Sequence, residues 1–166
     1  MTSRADDVDR IVAAWHRELP ELDLAPMEVL SRVTRLARRL DRIRRDAFTR
    51  HGLQTWSFDV LAALRRAGAP YELSPGQLVH ETMVTSGTMT NRVDRLVALG
   101  LVERRPDPGD RRGVLVRLTE QGRSRVDDAF ADLIDRERDL LDGLEGADRA
   151  GLAAQLRQVM TTLEAT

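Results

Sequence analysis

Apolar positions recur with helical spacing along most of the chain and alternate with polar positions in one short stretch. The helical spacing predicts helices at 8–19, 27–48, 57–67 and 75–83, between Thr85 and Gly100, and in two long segments whose N-caps are Thr119 and Asp148. In the segment from 27 to 48, apolar residues alternate steps of four and three, which keeps them on one stripe of a single long helix. The pattern therefore predicts a mainly α protein.

The two short central helices carry specific end signals. Ser74, Pro75 and Gln77 combine a capping serine, a proline at the first helical position and the glutamine of a capping box. A tight turn follows around Val84 and Thr85, and Gly100 ends the second helix. Met89, Val93, Leu96 and Val97 are predicted to face inward on that helix. This arrangement is a helix-turn-helix.

A β-hairpin is predicted directly after these helices. Residues 101–105 form the first strand of the prediction, 106–110 contain the prolines and glycine of a turn, and Val114, Val116 and Leu118 alternate as the returning strand. The hairpin adds a small β wing. The fold class predicted is thus mainly α with a small β-wing, a winged helix-turn-helix.

Composition narrows the classes of protein. The formal net charge is only -1, but acidic residues are concentrated in 127–145, so charge is unevenly placed. All 26 basic residues are arginine, so their number alone says little about phosphate binding. There is no cysteine, which excludes thiol chemistry. No apolar run is long enough to span a membrane and the first ten residues are polar, so we expect a soluble cytoplasmic protein without membrane contact.

A helix-turn-helix followed by a hairpin with basic residues near its tip is typical of proteins that place one helix in the DNA major groove. The exposed face of the second helix offers groups suited to phosphates and base edges. The predicted DNA contacts are Ser86, Thr88, Thr90, Asn91 and Arg95 on the helix and Arg111 and Arg112 on the wing, with Arg111 entering the minor groove. The alternative from the residues alone is a small helical protein whose arginines form a solvated face.

Three stretches resemble the MarR family of transcription regulators: 74–78 (SPGQL), 85–96 (TSGTMTNRVDRL) with 100–104 (GLVER), and 110–122 (DRRGVLVRLTEQG). The last is the most specific, and the resemblance covers nearly the whole chain. It implies a homodimer whose N- and C-terminal helices interlock and which binds a near-palindromic double-stranded operator. The domain organisation expected is a dimerisation region at 1–50, a DNA-binding region at 51–118 and C-terminal dimerisation helices at 119–166.

The extra N-terminal helix with its tryptophan resembles the branch of this family that responds to urate and trans-aconitate. The resemblance implies a site for a small organic anion at Trp15, Asp59, Arg92 and Arg104. Two guanidiniums suit a carboxylate or urate anion, the indole adds a donor and a ring face, and the aspartate suits an arginine when no anion is bound. Similarity around 28–45 and 69–74 favours citrate or aconitate over urate. The alternative is a packing tryptophan, a local ion pair and phosphate-binding arginines.

Other classes of function find less support in the sequence. His16, His51 and His80 lie in separate segments, with no motif of a hydrolase or a phosphate-binding loop, so no enzyme activity is expected. No catalytic residue, metal ligand or cofactor is predicted. A metal-sensing regulator and a non-specific architectural DNA-binding protein remain the alternatives to a repressor released by an anion.

Overall fold

The computed structural model describes the backbone of residues 5–164 and the side chains of all of these except Arg111, Arg112, Ala147, Leu163 and Glu164. Within this range the elements are α1 (Asp7–Glu18), α2 (Ala25–Arg50), α3 (Thr55–Arg66), β1 (Glu72–Leu73), α4 (Pro75–Thr82), α5 (Ser86–Ala98), β2 (Val102–Asp107), β3 (Asp110–Leu118), α6 (Glu120–Leu141) and α7 (Gly146–Glu164). The chain forms two compact units, one ending at Asp46 and one beginning at Ala47.

Side-chain caps define where several helices begin. Ser74 and Gln77 form the predicted capping box at the start of α4, and the Thr119 hydroxyl accepts a hydrogen bond from the Gly122 amide at 3.0 Å at the start of α6. The predicted cap at Asp148 is wrong, because α7 begins two residues earlier at Gly146. Asp148 lies in the first turn instead, where a carboxylate still interacts favourably with the helix N-terminus.

Ion pairs join the two helices of the N-terminal unit. The Arg32 side chain on α2 donates from Nε to Asp6 at 2.9 Å and from Nη2 to Asp9 at 2.5 Å, at the start of α1. The backbone amide of Asp9 and the Arg32 guanidinium lower the pKa of Asp6 below its usual value. Val8, which lies between Asp6 and Asp9 in the sequence, is buried, with 1% of its surface exposed. Polar contacts thus fix the start of α1 against α2.

The hydrophobic core of the second unit is built around α3. Leu61 and Leu64 of this helix are completely buried, and the helix packs against α4, α5 and α6. The rings of Phe48 and Phe58 stack with their centroids 3.9 Å apart and their planes inclined by 12°. The apolar residues predicted to face inward on α5 belong to the same core, except Val97, which is 37% exposed. Both helices of the helix-turn-helix are therefore held by one core.

A three-stranded antiparallel sheet of order β1-β3-β2 completes this unit. β1 was not predicted from the sequence, because two residues are too few to show alternation; Leu73 pairs with Val116 of β3. The wing strands are longer than predicted, and the turn between them is reduced to Pro108 and Gly109. At the base of the wing, a Cβ added to Gly122 would lie 1.9 Å from the Leu101 carbonyl oxygen, so only glycine fits there. The predicted winged helix-turn-helix with a small sheet is confirmed.

Several helices carry rows of exposed apolar side chains. On α2 the row includes Val29, Val33 and Leu36, and on α6 it includes Phe130 and Ile134. On α7 the exposed apolar residues are Leu152, Leu156, Val159 and Met160. Within residues 5–164, no helix has both the length and the apolar character needed to cross a membrane.

Candidate nucleic-acid interface and effector site

The turn between α4 and α5 directs the second helix outward. Met83 ends α4 in the left-handed conformation, with φ of 50°, and 93% of its surface is exposed. Thr85 then caps α5, its hydroxyl accepting a hydrogen bond from the Thr88 amide at 3.3 Å. The two caps and the tight turn give α5 a defined direction. Its N-terminal amides, a favourable partner for phosphate, lie at the protein surface.

The two faces of α5 differ sharply in burial. Met89, Val93 and Leu96 are 0–2% exposed and belong to the core. All five residues predicted to contact DNA from this helix are exposed: Ser86, Thr88, Thr90, Asn91 and Arg95. Asn91 and Arg95 are four residues apart and share one side of the helix. The helix therefore presents amide, hydroxyl and guanidinium groups to solvent while its apolar side is fixed in the core.

The hydroxyls of Thr88 and Thr90 already take part in local hydrogen bonds. The Thr90 hydroxyl donates to the Ser86 carbonyl at 3.1 Å, and the Thr85 hydroxyl donates to Thr88 Oγ1 at 2.9 Å. Each oxygen keeps acceptor capacity, but the orientation of both side chains is set by the helix. Serine and threonine hydroxyls are among the groups that contact phosphates in protein–DNA complexes, and such contacts position a helix in the groove.

The wing tip is ordered by its own turn. The Asp107 carboxylate accepts a hydrogen bond from the Gly109 amide at 2.8 Å, which closes the turn between β2 and β3. Arg111 and Arg112 follow as the second and third residues of β3. Their side chains lie outside the described part of the structure, so their predicted contacts with DNA stay a prediction.

The four residues expected to bind an anion lie on four different elements. Trp15 is on α1, in the N-terminal unit, and 48% of its surface is exposed. The other three belong to the second unit. Asp59 is exposed on α3, Arg92 is half-buried on α5, and Arg104 is exposed on β2.

The two arginines of this set have different neighbours. The Arg92 guanidinium carbon lies 5.9 Å from the centre of the Trp56 ring, in the range of a cation-π contact. Trp56 is three residues before Asp59 on α3, so both lie on the same side of that helix. Arg104 Nη2 donates to Asp94 Oδ1 at 2.5 Å, which joins β2 to α5. Arg92 is thus part of α5, and Arg104 contacts α5 through its ion pair with Asp94.

Trp56 and Asp94 were not predicted from the sequence as members of the site. Asp94 lies three residues after Asn91, so its place on the exposed side of α5 follows from helical spacing. Its pairing with Arg104 links residues in a helix and a strand, and no local pattern indicates it. Among the residues that the structure describes, no three histidine or acidic side chains cluster as a metal site.

Comparisons with known proteins agree with this architecture. The model of the MarR family matches residues 51–113, which span α3 to the start of β3. The HTH-type transcriptional regulator PecS of Dickeya dadantii is 37% identical over 153 residues, which cover 92% of this chain and 92% of PecS. The HTH-type transcriptional repressor NicR of Pseudomonas putida is 36% identical over 110 residues, 64% of this chain and 68% of NicR.

A solved structure extends the likeness to a complex. A mutant MarR of Escherichia coli bound to operator DNA superposes with a TM-score of 0.65 at 27% identity, covering 87% of this chain and 96% of that one. These relatives are transcriptional regulators and not enzymes. The match with PecS covers almost the whole of both chains, and the chain therefore belongs to the MarR family of DNA-binding transcriptional regulators.

Proposed function

We propose that the protein is a transcriptional repressor that binds operator DNA and releases it when a small organic anion binds. The observation that carries the DNA-binding part is the division of α5 into a core-fixed apolar face and an exposed face of amide, hydroxyl and guanidinium groups. The wing formed by β2 and β3 directly follows α5 and belongs to the three-stranded sheet. The operator DNA in the structure of the Escherichia coli relative supports the same role here.

In the proposed complex the region 51–118 contacts DNA. The α5 helix is the recognition helix and lies in the major groove, where Asn91 and Arg95 reach base edges, Asn91 suited to adenine and Arg95 to guanine. Ser86, Thr88 and Thr90 contact phosphates. The wing lies against the minor groove, with Arg111 entering it and Arg112 close to the backbone.

We further propose that the protein acts as a homodimer in the cytoplasm. The exposed apolar rows of α2, α6 and α7 are surfaces that a second copy of the chain would cover. In a dimer with two-fold symmetry, the same rows of both copies lie in the interface. Two recognition helices about 34–36 Å apart, one turn of DNA, then bind the halves of a near-palindrome. A dimer doubles the phosphate contacts of one chain.

The proposed effector is a citrate- or aconitate-type polycarboxylate, with urate as the second choice. Arg92 and Arg104 supply the positive charge, Trp15 an indole donor and Asp59 a carboxylate that an anion repels or replaces. Arg92 is part of α5 itself, and Arg104 is bound to α5 through Asp94. An anion held by these arginines acts directly on the recognition helix, which supports loss of DNA affinity as the response.

One titration tests both parts of the proposal. Purified protein is bound to fluorescent DNA from its own upstream intergenic region and to shuffled DNA of equal length, at fixed pH and salt, and citrate, trans-aconitate and urate are added in turn. Because citrate and aconitate chelate metal ions, every titration is repeated with EDTA present throughout. Release by an anion in both series supports the proposal, and release by EDTA alone indicates a metal-sensing regulator. Specific binding that no anion changes rejects the effector site, and equal affinity for shuffled DNA indicates an architectural protein.

A further inference from the structure

The Asp94–Arg104 ion pair joins the proposed effector site to the DNA-facing side of the recognition helix. Arg104 Nη2 lies 2.5 Å from Asp94 Oδ1, and the two side chains are 41% and 53% exposed. Arg104 is one of the two arginines proposed to hold the anion. A carboxylate that binds the Nη2 edge of Arg104 therefore competes with the carboxylate of Asp94.

Asp94 lies on the exposed side of α5. Residues along an α-helix are rotated by about 100° each, and Met89, Val93 and Leu96 define the direction of the core. Asp94 is displaced from that direction by more than a quarter turn and lies next to Asn91, three residues earlier. Its carboxylate thus belongs to the same surface as the proposed base contacts.

The sheet register explains why Arg104 reaches this carboxylate. Arg104 pairs with Val116 across β2 and β3, and directly paired residues share one face of a sheet. Val116 is completely buried, so that face points toward the helices of the unit. Arg104 therefore extends from the inner face of the wing toward α5, where its charge compensates that of Asp94.

We propose that Asp94 is the group through which the anion weakens DNA binding. This inference rests on the proposed effector site at Arg104. With Arg104 on Asp94, the recognition helix presents a neutralised ion pair to DNA. When an anion binds Arg104 at this edge, the Asp94 carboxylate loses that compensation on the surface proposed to face DNA, and its charge is repelled by the negative charge of the DNA. The anion and the operator then weaken each other's binding by the same factor, because such coupling is reciprocal.

The inference predicts opposite effects of one substitution on two measurements. Asp94→Asn keeps the size and polarity of the side chain but removes the competing charge. Citrate and trans-aconitate should bind the variant about two- to fivefold more tightly than the wild type, the range expected for loss of an exposed ion pair. Because no carboxylate is released, the ratio of operator dissociation constants with and without saturating anion should fall toward one.

The matched control is Asp127→Asn. Asp127 pairs with Arg65 at 2.8 Å and is 45% exposed, so it resembles Asp94 in setting but lies on α6. Anion affinity is measured by calorimetry without DNA, and operator affinity by fluorescence anisotropy. The control should match the wild type in the anion affinity and in the ratio.

Each other outcome rejects a specific statement. If the wild type binds none of the anions, the effector site itself fails and the role of Asp94 fails with it. If the wild type binds an anion and Asp94→Asn binds it no more tightly, the effector site stands and the competition is wrong. If Asp94→Asn binds more tightly but releases DNA like the wild type, Asp94 does not transmit the signal.

Discussion

The elements α3 to α6 with the sheet, here called the winged unit, differ from the terminal helices α1, α2 and α7 in how they use apolar side chains. In α3, Leu61 and Leu64 are completely buried within the chain. In α7, the side chains of Leu152, Leu156, Val159 and Met160 are between 37% and 62% exposed. Helical spacing predicted an apolar face in both helices. The spacing shows that a face is suited to burial, but it does not show whether the same chain or a second chain covers it.

Polar side chains differ between the two regions in the same sense. On α5 the exposed residues are short amide and hydroxyl groups and a guanidinium, which hydrogen-bond well to nucleic acid. On α1 and α2 the charged residues pair with each other, as in the Arg32 cluster, and hold the helices together. One region therefore completes its own core and offers polar groups outward, while the other offers apolar groups outward.

The largest expected effect concerns the core of the winged unit. Leu96→Ala removes a completely buried side chain from α5 and should lower the free energy of unfolding by about 2–5 kcal/mol. Leu99→Ala, three residues later at the end of the same helix, changes a side chain that is 53% exposed and should cost less than about 1 kcal/mol. Urea denaturation followed by circular dichroism measures both. Equal losses would show that the exposed position is as important to the fold as the core position.

The second prediction concerns the apolar row of α7. Leu156→Asp should raise the dissociation constant of the dimer by about a hundredfold or more, because each copy would place a charge in an apolar interface. The winged unit should stay folded, since Leu156 is 39% exposed in a single chain. Sedimentation velocity gives the oligomeric state, and circular dichroism gives the helical content.

Gln158→Asp is the control for that variant. It introduces the same charge on α7, about 140° around the helix from the centre of the apolar row. A dimer that persists in Leu156→Asp, or that is lost equally in both variants, would contradict the assignment of this row to the interface.

Local chemistry explains which parts of the fold were predictable. The capping box at Ser74 and the cap at Thr119 each involve side chains within three residues, and both were predicted correctly. β1 depends on pairing with β3, more than forty residues later, and its two residues show no period of their own. Elements defined by long-range pairing are not visible in local spacing.

The candidate site shows the same division. The exposed residues of α5 follow from helical period, so their exposure could be predicted. The partner of Arg104 depends on how β2 packs against α5, and the family resemblance implied Asp59 rather than Asp94 as the aspartate of the site. Trp56, whose ring lies beside Arg92, was not predicted either, because this contact joins two different helices.

The smallest expected effect concerns a polar contact within the winged unit. Asp132 on α6 accepts a hydrogen bond from Arg136 Nε at 2.7 Å, and its Oδ2 lies 3.5 Å from His51 Nε2. The Arg136 guanidinium lowers the pKa of Asp132 below its usual value of 3.8. A carboxyl with a lowered pKa in the folded state stabilises the fold above its unfolded pKa, and this contribution is lost as the pH falls through the folded value.

Asp132→Asn should therefore lower the stability of the fold at pH 5 by a small amount, less than about 1 kcal/mol in the free energy of unfolding. Below about pH 3.8 the difference from the wild type should shrink, because the wild-type carboxyl also becomes neutral. Asp135→Asn, which removes an exposed pair with Arg138 on the same helix, should have less effect at every pH. Melting curves of the three proteins at pH 5 and pH 3 test this. A difference that grows between pH 5 and pH 3 would show that Asp132 acts by some means other than its charge.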